Sequence, residues 1–138
     1  MYYKYDEDIV GGLSEIDRTI KDVLKQINLI VDDEDLLYDL RLILNELLIN
    51  AFVHGNKKDL NKVMHLSLIL DDIELKIKVK DEGRGVKEKD YCYNCSDLKN
   101  HGRGLLIVEK LTDSFFVEGN IVRCLLSRHD NSYSHMSY

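Results

Sequence analysis

The sequence predicts an α/β (α+β) two-layer sandwich, in which a mixed, mostly antiparallel sheet is covered on one face by helices. Two observations lead to this fold class. The segments 13–29 and 33–55 carry apolar residues at helical spacing. The segment 74–80 instead alternates apolar residues with polar ones, as a strand does when one face is buried. The 138 residues suffice for one domain, 1–138, with a core of its own.

Composition excludes several function classes. A formal net charge of −6 and the lack of a basic stripe argue against direct binding of nucleic acid. No apolar run approaches the roughly 20 residues of a membrane span. The N-terminus lacks the basic and apolar regions of a secretory signal, so we expect a cytoplasmic protein without membrane contact. Three cysteines, an odd number, indicate free thiols rather than a disulfide framework.

The elements can be assigned in chain order from periodicity and from turn residues. They are an edge strand at 1–10, helices at 13–29 and 33–55, a strand hairpin at 65–70 and 74–80, a helix at 105–111, and strands at 115–117 and 121–126. The acidic cluster 32–35 suits the N-terminus of the second helix, where the helix dipole favours negative charge. Residues 86–100 lose all periodicity, and a loop of that length is usually functional. Residues 128–138 form a polar tail.

The second helix ends with three polar residues one turn apart, Glu46, Asn50 and His54. Residues four apart share a helix face, so these side chains form a ridge, and Gly55 provides a stop. A carboxylate and a carboxamide aimed at one point could activate a nucleophile and hold a hard cation. A solvated helix face is the alternative. His54 could support Asn50 as a neighbour, and a bond to a backbone carbonyl at the helix end explains its position equally well.

Two glycine-containing stretches follow the ridge. Asp81-x-Gly83-x-Gly85 comes at the end of a strand, and Gly102-x-Gly104 opens a helix. The aspartate can accept a hydrogen bond from the exocyclic amine of adenine, and the first two glycines allow close approach of the backbone. Bare amides at a helix N-terminus suit a phosphate. Taken singly, each stretch could be only a turn or a tight helix entry.

In this order, the three elements resemble the N, G1 and G2 boxes of the GHKL ATPases, whose nucleotide-binding unit is the Bergerat fold. That superfamily includes histidine kinases, type II topoisomerases and mismatch-repair ATPases. Within it, the stretches NELLINAFVHGN and HGRGLLIVEKLTDSF are most similar to bacterial anti-sigma factors that are also serine/threonine-protein kinases. The resemblance covers residues 13–126.

The resemblance implies ATP and Mg²⁺ as cofactors and assigns roles to individual residues. Glu46 matches the catalytic residue, Asn50 the magnesium ligand and Asp81 the adenine-binding aspartate. The segment 86–101 matches the ATP lid. The glycines of the two boxes, expected beside the nucleotide, are Gly83, Gly85, Gly102 and Gly104. Arg84 and Arg103 each lie between glycines of a box and could reach a phosphate or an acidic group of a partner. For Arg103 a place near the phosphates is favoured over plain solvent exposure, whereas Arg84 has no preferred role.

The leading hypothesis is a kinase that phosphorylates an antagonist protein and binds a sigma factor, regulating transcription by partner switching. A homodimer is a further family expectation. One alternative is a GHKL ATPase that uses water as the nucleophile. Another is a non-enzymatic nucleotide-sensing module, which Gly119-Asn120 keeps open because family members often have Gly-Thr there.

The remaining candidates have plainer explanations. Cys92, Cys95 and His101 have spacing that could ligate zinc, but structural sites usually have four ligands, so two neighbouring free thiols are the stronger interpretation. Cys124, in an apolar strand, is predicted to lie in the core. The lysines of the segment 74–80 are predicted to form a solvated sheet face.

Overall fold

The computed structural model describes residues 2–83 and 104–128. Every helix and strand predicted within these ranges is present. The elements are β1 (Tyr3–Val10), α1 (Leu13–Asn28), α2 (Glu34–Asn50) with a π-helical turn (Ala51–Gly55), β2 (Val63–Leu70), β3 (Glu74–Lys80), α3 (Gly104–Leu111), β4 (Ser114–Glu118) and β5 (Ile121–Ser127). The predicted lid, most of the predicted tail and the cysteines and histidine considered for zinc lie outside the described residues.

The five strands form one sheet in the order β1-β2-β3-β5-β4. Every described pairing is antiparallel. The prediction of a mostly antiparallel sheet is therefore confirmed. Strands β3 and β4 run in the same direction, but they make no parallel pair because β5 lies between them.

The helices cover one face of this sheet. Alternate residues of β2 and β3 are buried, and their neighbours point to the other face. Helix α2 contacts both α1 and α3, so it is the central element of the helical layer. Cys124 belongs to the core, as predicted, and is 4% exposed. The buried residues of the three central strands are Met64, Leu66, Leu68, Leu70, Leu75, Ile77, Val79, Cys124 and Leu126.

Helix α2 begins where the acidic cluster predicted. Asp33 is the N-cap, and its Oδ1 accepts a hydrogen bond of 3.1 Å from the backbone N–H of Leu36. Glu34 and Asp35 occupy the first turn, where negative charge stabilises the helix. The cap fixes the start of the helix that carries the polar ridge at its other end.

Within the described ranges, no helix is both long and apolar enough to cross a bilayer. Nor do the described residues contain a group of three or more histidine, cysteine, aspartate or glutamate residues arranged to hold a metal ion.

Candidate functional site

The last turn of the second helix is wider than the sequence predicted. The helix ends at Gly55 as expected, but residues 51–55 form a π-helical turn rather than an α-helical one. The backbone N–H of Asn56 donates to the carbonyl of Ala51, five residues earlier, at 2.8 Å. Single π-helical turns of this kind are frequent at functional sites. The widening lies directly after Asn50, the second residue of the polar ridge.

Asn50 has an unsatisfied acceptor. Its side-chain Oδ1 is buried and has no hydrogen-bond partner in the described structure. Leaving such an atom unpaired costs about 1–3 kcal/mol, so it marks a position where a ligand is to be expected. An amide oxygen suits a hard cation such as Mg²⁺, and the residue therefore fits its predicted role. Glu46 is partly buried one turn earlier on the same helix face.

The described part of the first glycine box, Asp81 to Gly83, is in contact with the end of this helix. The carboxylate of Asp81 lies over Gly55, where an added Cβ would come within 2.1 Å of Oδ2. The backbone N–H of Gly83 donates to Oδ1 of Asp81 at 2.7 Å. A Cβ on Gly83 would lie 2.5 Å from the carbonyl oxygen of Gly55. The three residues thus form one close-packed unit, and both glycines are required by space.

The surroundings of Asp81 alter its ionisation. Burial raises the pKa of its carboxyl above the ordinary value, while the Gly83 N–H and the charge of Lys62 act in the opposite direction. A partly buried carboxylate held by one backbone donor keeps acceptor capacity for a ligand. Shifted pKa values of this kind are common at functional sites.

Asn120 lies against the backbone of Asp81. Its side-chain Nδ2 donates to the carbonyl of Asp81 at 2.5 Å, and the N–H of Asp81 donates to the carbonyl of Asn120 at 3.1 Å. The tight β4–β5 turn that carries it uses Gly119 at a φ of 60°. The carboxamide of Asn120 is therefore engaged with the backbone of the aspartate itself.

Sequence reasoning assigned no role to Asn56, which the structure brings into this site. Its side chain is fully buried, with 0% exposure, and bonds both to the start of β2 and to Glu82. An asparagine just after a helix-ending glycine is common in exposed loops, so its position gave no signal of burial.

The other predicted site residues divide into two groups. Gly104 is the first residue of α3, as predicted, and His54 lies partly buried in the π-helical turn. The other group, Arg84, Gly85, Gly102 and Arg103, lies outside the described residues. The described part of the site is therefore the helix end with its polar ridge, together with the aspartate and the first glycine of its box.

Comparison with known proteins agrees with this arrangement. The chain matches the histidine kinase-like ATPase domain over residues 12–125. It belongs to that family. Membership in this family of ATPase domains confirms the GHKL resemblance and the fold, and it implies an ATP site.

Curated relatives of this histidine kinase-like ATPase domain include several anti-sigma F factors. The one from Geobacillus stearothermophilus is 27% identical over 92 residues, 63% of each chain. Those from Oceanobacillus iheyensis and Bacillus thuringiensis are 28% and 27% identical over 85 and 89 residues, which is 58% and 61% of each chain. The alignments thus span less than two thirds of these relatives' length.

Proposed function

We propose that this protein is an ATP- and Mg²⁺-dependent serine/threonine-protein kinase that phosphorylates a small antagonist protein. The observation that carries the proposal is the buried, unpaired Oδ1 of Asn50, one helical turn from Glu46. A metal-ligating oxygen beside a carboxylate is the pair that phosphoryl transfer to a hydroxyl needs. The choice of a protein acceptor rests on the resemblance to anti-sigma factor kinases, and the relatives named anti-sigma F factors support that branch of the family.

The adenine end of the proposed site is formed by Asp81. Its carboxylate accepts a hydrogen bond from the exocyclic amine of the base, while the Gly83 N–H holds the carboxylate in place. The absence of a Cβ at Gly55 and Gly83 leaves the aspartate room to lie flat against the helix end. The backbone amides at the start of α3 face the phosphates.

The transfer step assigns one role to each ridge residue. Glu46 accepts the proton of the attacking serine hydroxyl. The serine oxygen bonds to the γ-phosphorus while the bond from that phosphorus to the oxygen of ADP breaks. Asn50 would hold the cation through Oδ1. Bound Mg²⁺ would neutralise charge on the phosphates of the nucleotide.

We extend the proposal to regulation. The chain binds a sigma factor, and phosphorylation of the antagonist decides which of the two partners is held. Binding of a sigma factor rests on the names of the relatives and inherits their partial coverage, whereas partner switching rests on the family resemblance. The predicted homodimer belongs to the same part of the proposal.

Glu46→Gln tests the kinase directly. The purified protein is incubated with γ-labelled ATP, Mg²⁺ and candidate antagonist proteins. We expect label on the antagonist with the wild type and none with Glu46→Gln, whereas ATP affinity stays within about threefold because the amide is isosteric. Glu34→Gln, an exposed position on the same helix, is the matched control and should transfer label normally. Undiminished labelling by Glu46→Gln would refute the assignment.

A second candidate is a nucleotide-sensing module that binds ATP without transferring phosphate. Asn120 favours it, because its carboxamide bonds to the Asp81 carbonyl at the position where relatives often have a threonine hydroxyl. The labelling experiment separates the candidates. ATP binding with neither labelled protein nor released phosphate would favour the sensor, and release of free phosphate would favour a hydrolase.

A further inference from the structure

Asn56 is the one buried polar side chain among residues 2–83 and 104–128. Its Nδ2 donates to the carbonyl of Val63 at 3.1 Å, and its Oδ1 accepts from the N–H of Glu82 at 2.7 Å. The ring is closed by the N–H of Val63, which donates to the side-chain carboxylate of Glu82. We call these three residues the Asn56 ring. Exchanging oxygen and nitrogen would set donor against donor and acceptor against acceptor, so the amide has one orientation here.

The Asn56 ring joins the two chain segments that meet at Asp81. Asn56 follows Gly55, which lies under the aspartate carboxylate, and Glu82 follows the aspartate itself. A shift of either ring residue would therefore move one side of the contact between the helix end and the first glycine box. The ring holds the distance between these two segments.

The loop after Asn56 has a strained backbone, and the burial of the Asn56 side chain explains why. Lys57 and Lys58 have φ values of 55° and 61°, a region that residues with a side chain adopt at a cost. The N–H of Asp59 donates to the carbonyl of Asn56 at 3.0 Å and closes the turn. The chain thus reverses sharply to leave the carboxamide inside. Such strain persists only where the surrounding structure fixes it.

We propose that Asn56 is a positioning residue for nucleotide binding, which sets the place of Asp81 relative to Asn50. This inference rests on the proposed function, because it presupposes that Asp81 contacts the base. The positioning role requires the carboxamide to act as donor and as acceptor at once. If Asn56 only stabilised the fold, any variant that still folds would bind the nucleotide normally.

Asn56→Asp separates these roles through pH. A protonated carboxyl can accept from the Glu82 N–H and donate to the Val63 carbonyl, as the amide does. An ionised one sets a charged oxygen against that carbonyl, and burial raises the pKa of the introduced group. We expect ADP affinity within about threefold of wild type near pH 5.5 and about tenfold weaker near pH 8, the size of one lost buried hydrogen bond. The measurement is calorimetric titration with ADP, with folding checked by circular dichroism.

The control removes other sources of pH dependence. The charged and titratable groups next to the ring along the chain and at Asp81 are His54, Lys57, Lys58, Asp59, Lys62, Asp81 and Glu82. They are the same in the wild type, so affinities are compared as variant-to-wild-type ratios at each pH. Asn61→Asp adds the same charge at an exposed position of the same loop and should show a constant ratio.

Glu82→Ala opens the ring at an exposed position and avoids burying a charge. It should weaken ADP binding about threefold, the effect of a solvent-reachable hydrogen bond, while Glu118→Ala on β4 should not. A folded Asn56→Asp variant that binds ADP with wild-type affinity near pH 8 would overturn the inference. If Asn56→Asp does not fold near pH 8, a folded Glu82→Ala variant with wild-type ADP affinity would overturn it instead. A wild type that binds no adenine nucleotide would instead overturn the proposed function.

Discussion

At the scale of single residues, Asp81 combines a useful position with a cost in stability. Burial raises its pKa in the folded protein, so its contribution to stability is fully present below the unfolded pKa and is lost as pH rises through the folded pKa. The ionised carboxylate is therefore held in surroundings that disfavour its charge. Residues selected for binding commonly carry this trade-off between stability and function.

Asp81→Asn should separate stability from binding. We expect a melting temperature at pH 7 no lower than that of the wild type, and relative stability that shifts toward the variant as pH rises from about 4 to 7. ATP affinity should fall about tenfold, because the amide presents a donor where the base needs an acceptor. Thermal melts and calorimetric titration measure the two effects.

The matched control is Asp59→Asn. Asp59 also accepts a backbone N–H two residues ahead, but it is exposed. It should change neither the pH profile nor ATP affinity. A stable Asp81→Asn variant with undiminished ATP affinity would contradict the role of the aspartate.

Gly83 is required by contact rather than by backbone conformation. A methyl group there would lie 2.5 Å from the Gly55 carbonyl oxygen and 2.9 Å from Oδ1 of Asp81. Because one of these atoms belongs to the backbone, the turn itself must move. We expect Gly83→Ala to weaken ATP binding at least about tenfold while the chain remains folded.

Gly12→Ala is the control for this substitution. Its added methyl group would lie 2.9 Å from Cδ2 of Leu60, the end of an exposed side chain that can move away. It should bind ATP as the wild type does. Equal affinities of the two alanine variants would mean that the Gly83 contact does not hold the aspartate.

At the scale of elements, β1 is attached to the sheet partly through a histidine. His65 on β2 bonds to Asp8 through Nδ1 at 2.6 Å and to Asp6 through Nε2. The bond to Asp8, followed by that to Asp6, raises the pKa of His65 against the lowering effect of burial. Its stabilising contribution is thus present below the unfolded pKa and is lost as pH rises through the folded one.

His65→Gln should therefore destabilise the protein in acid more than in base. Since the group is near the surface, we expect a difference of about 0.5 kcal/mol near pH 6 that vanishes near pH 9. Urea unfolding of the wild type and the variant at the two pH values measures it. Replacing Asp6 and Asp8 together with asparagine should give the same pH dependence. A difference that stays constant with pH would show that the charge of His65 is irrelevant.

Most of the helices and strands were predictable because their patterns are local. Lys76 and Lys78 alternate with the buried residues Leu75, Ile77 and Val79. This period of two indicates a strand with one face toward solvent. The capping aspartate before α2 was readable for the same reason, since its partner is three residues away.

The features that could not be predicted from the sequence depend on residues that are distant along the chain. Asn56 is buried because Val63 and Glu82 satisfy its amide, and Glu82 lies 26 residues away. The bond from Asn120 to Asp81 spans 39 residues and follows from the β3–β5 register. The π-helical turn is closed by the bond from the N–H of Asn56 to the carbonyl of Ala51.

At the scale of the whole molecule, the sheet order explains how the site is assembled. Strand β3 lies between β2 and β5, so its end at Asp81 is adjacent to the start of β2 and to the β4–β5 turn. The helix end reaches the same point through Gly55. Residues from the middle and last thirds of the chain therefore converge at one edge of the sheet.

The central claim is that this edge binds ATP together with Mg²⁺ held by Asn50. Calorimetric titration with ATP, with Mg²⁺ and with a chelator, tests it in the wild type, in Asn50→Ala and in Asn45→Ala, an exposed position on the same helix. We expect Mg²⁺ to strengthen ATP binding at least about tenfold in the wild type and in Asn45→Ala, but not in Asn50→Ala, which lacks the metal-ligating oxygen. A full Mg²⁺ effect in folded Asn50→Ala, or no ATP binding by the wild type, would contradict the claim.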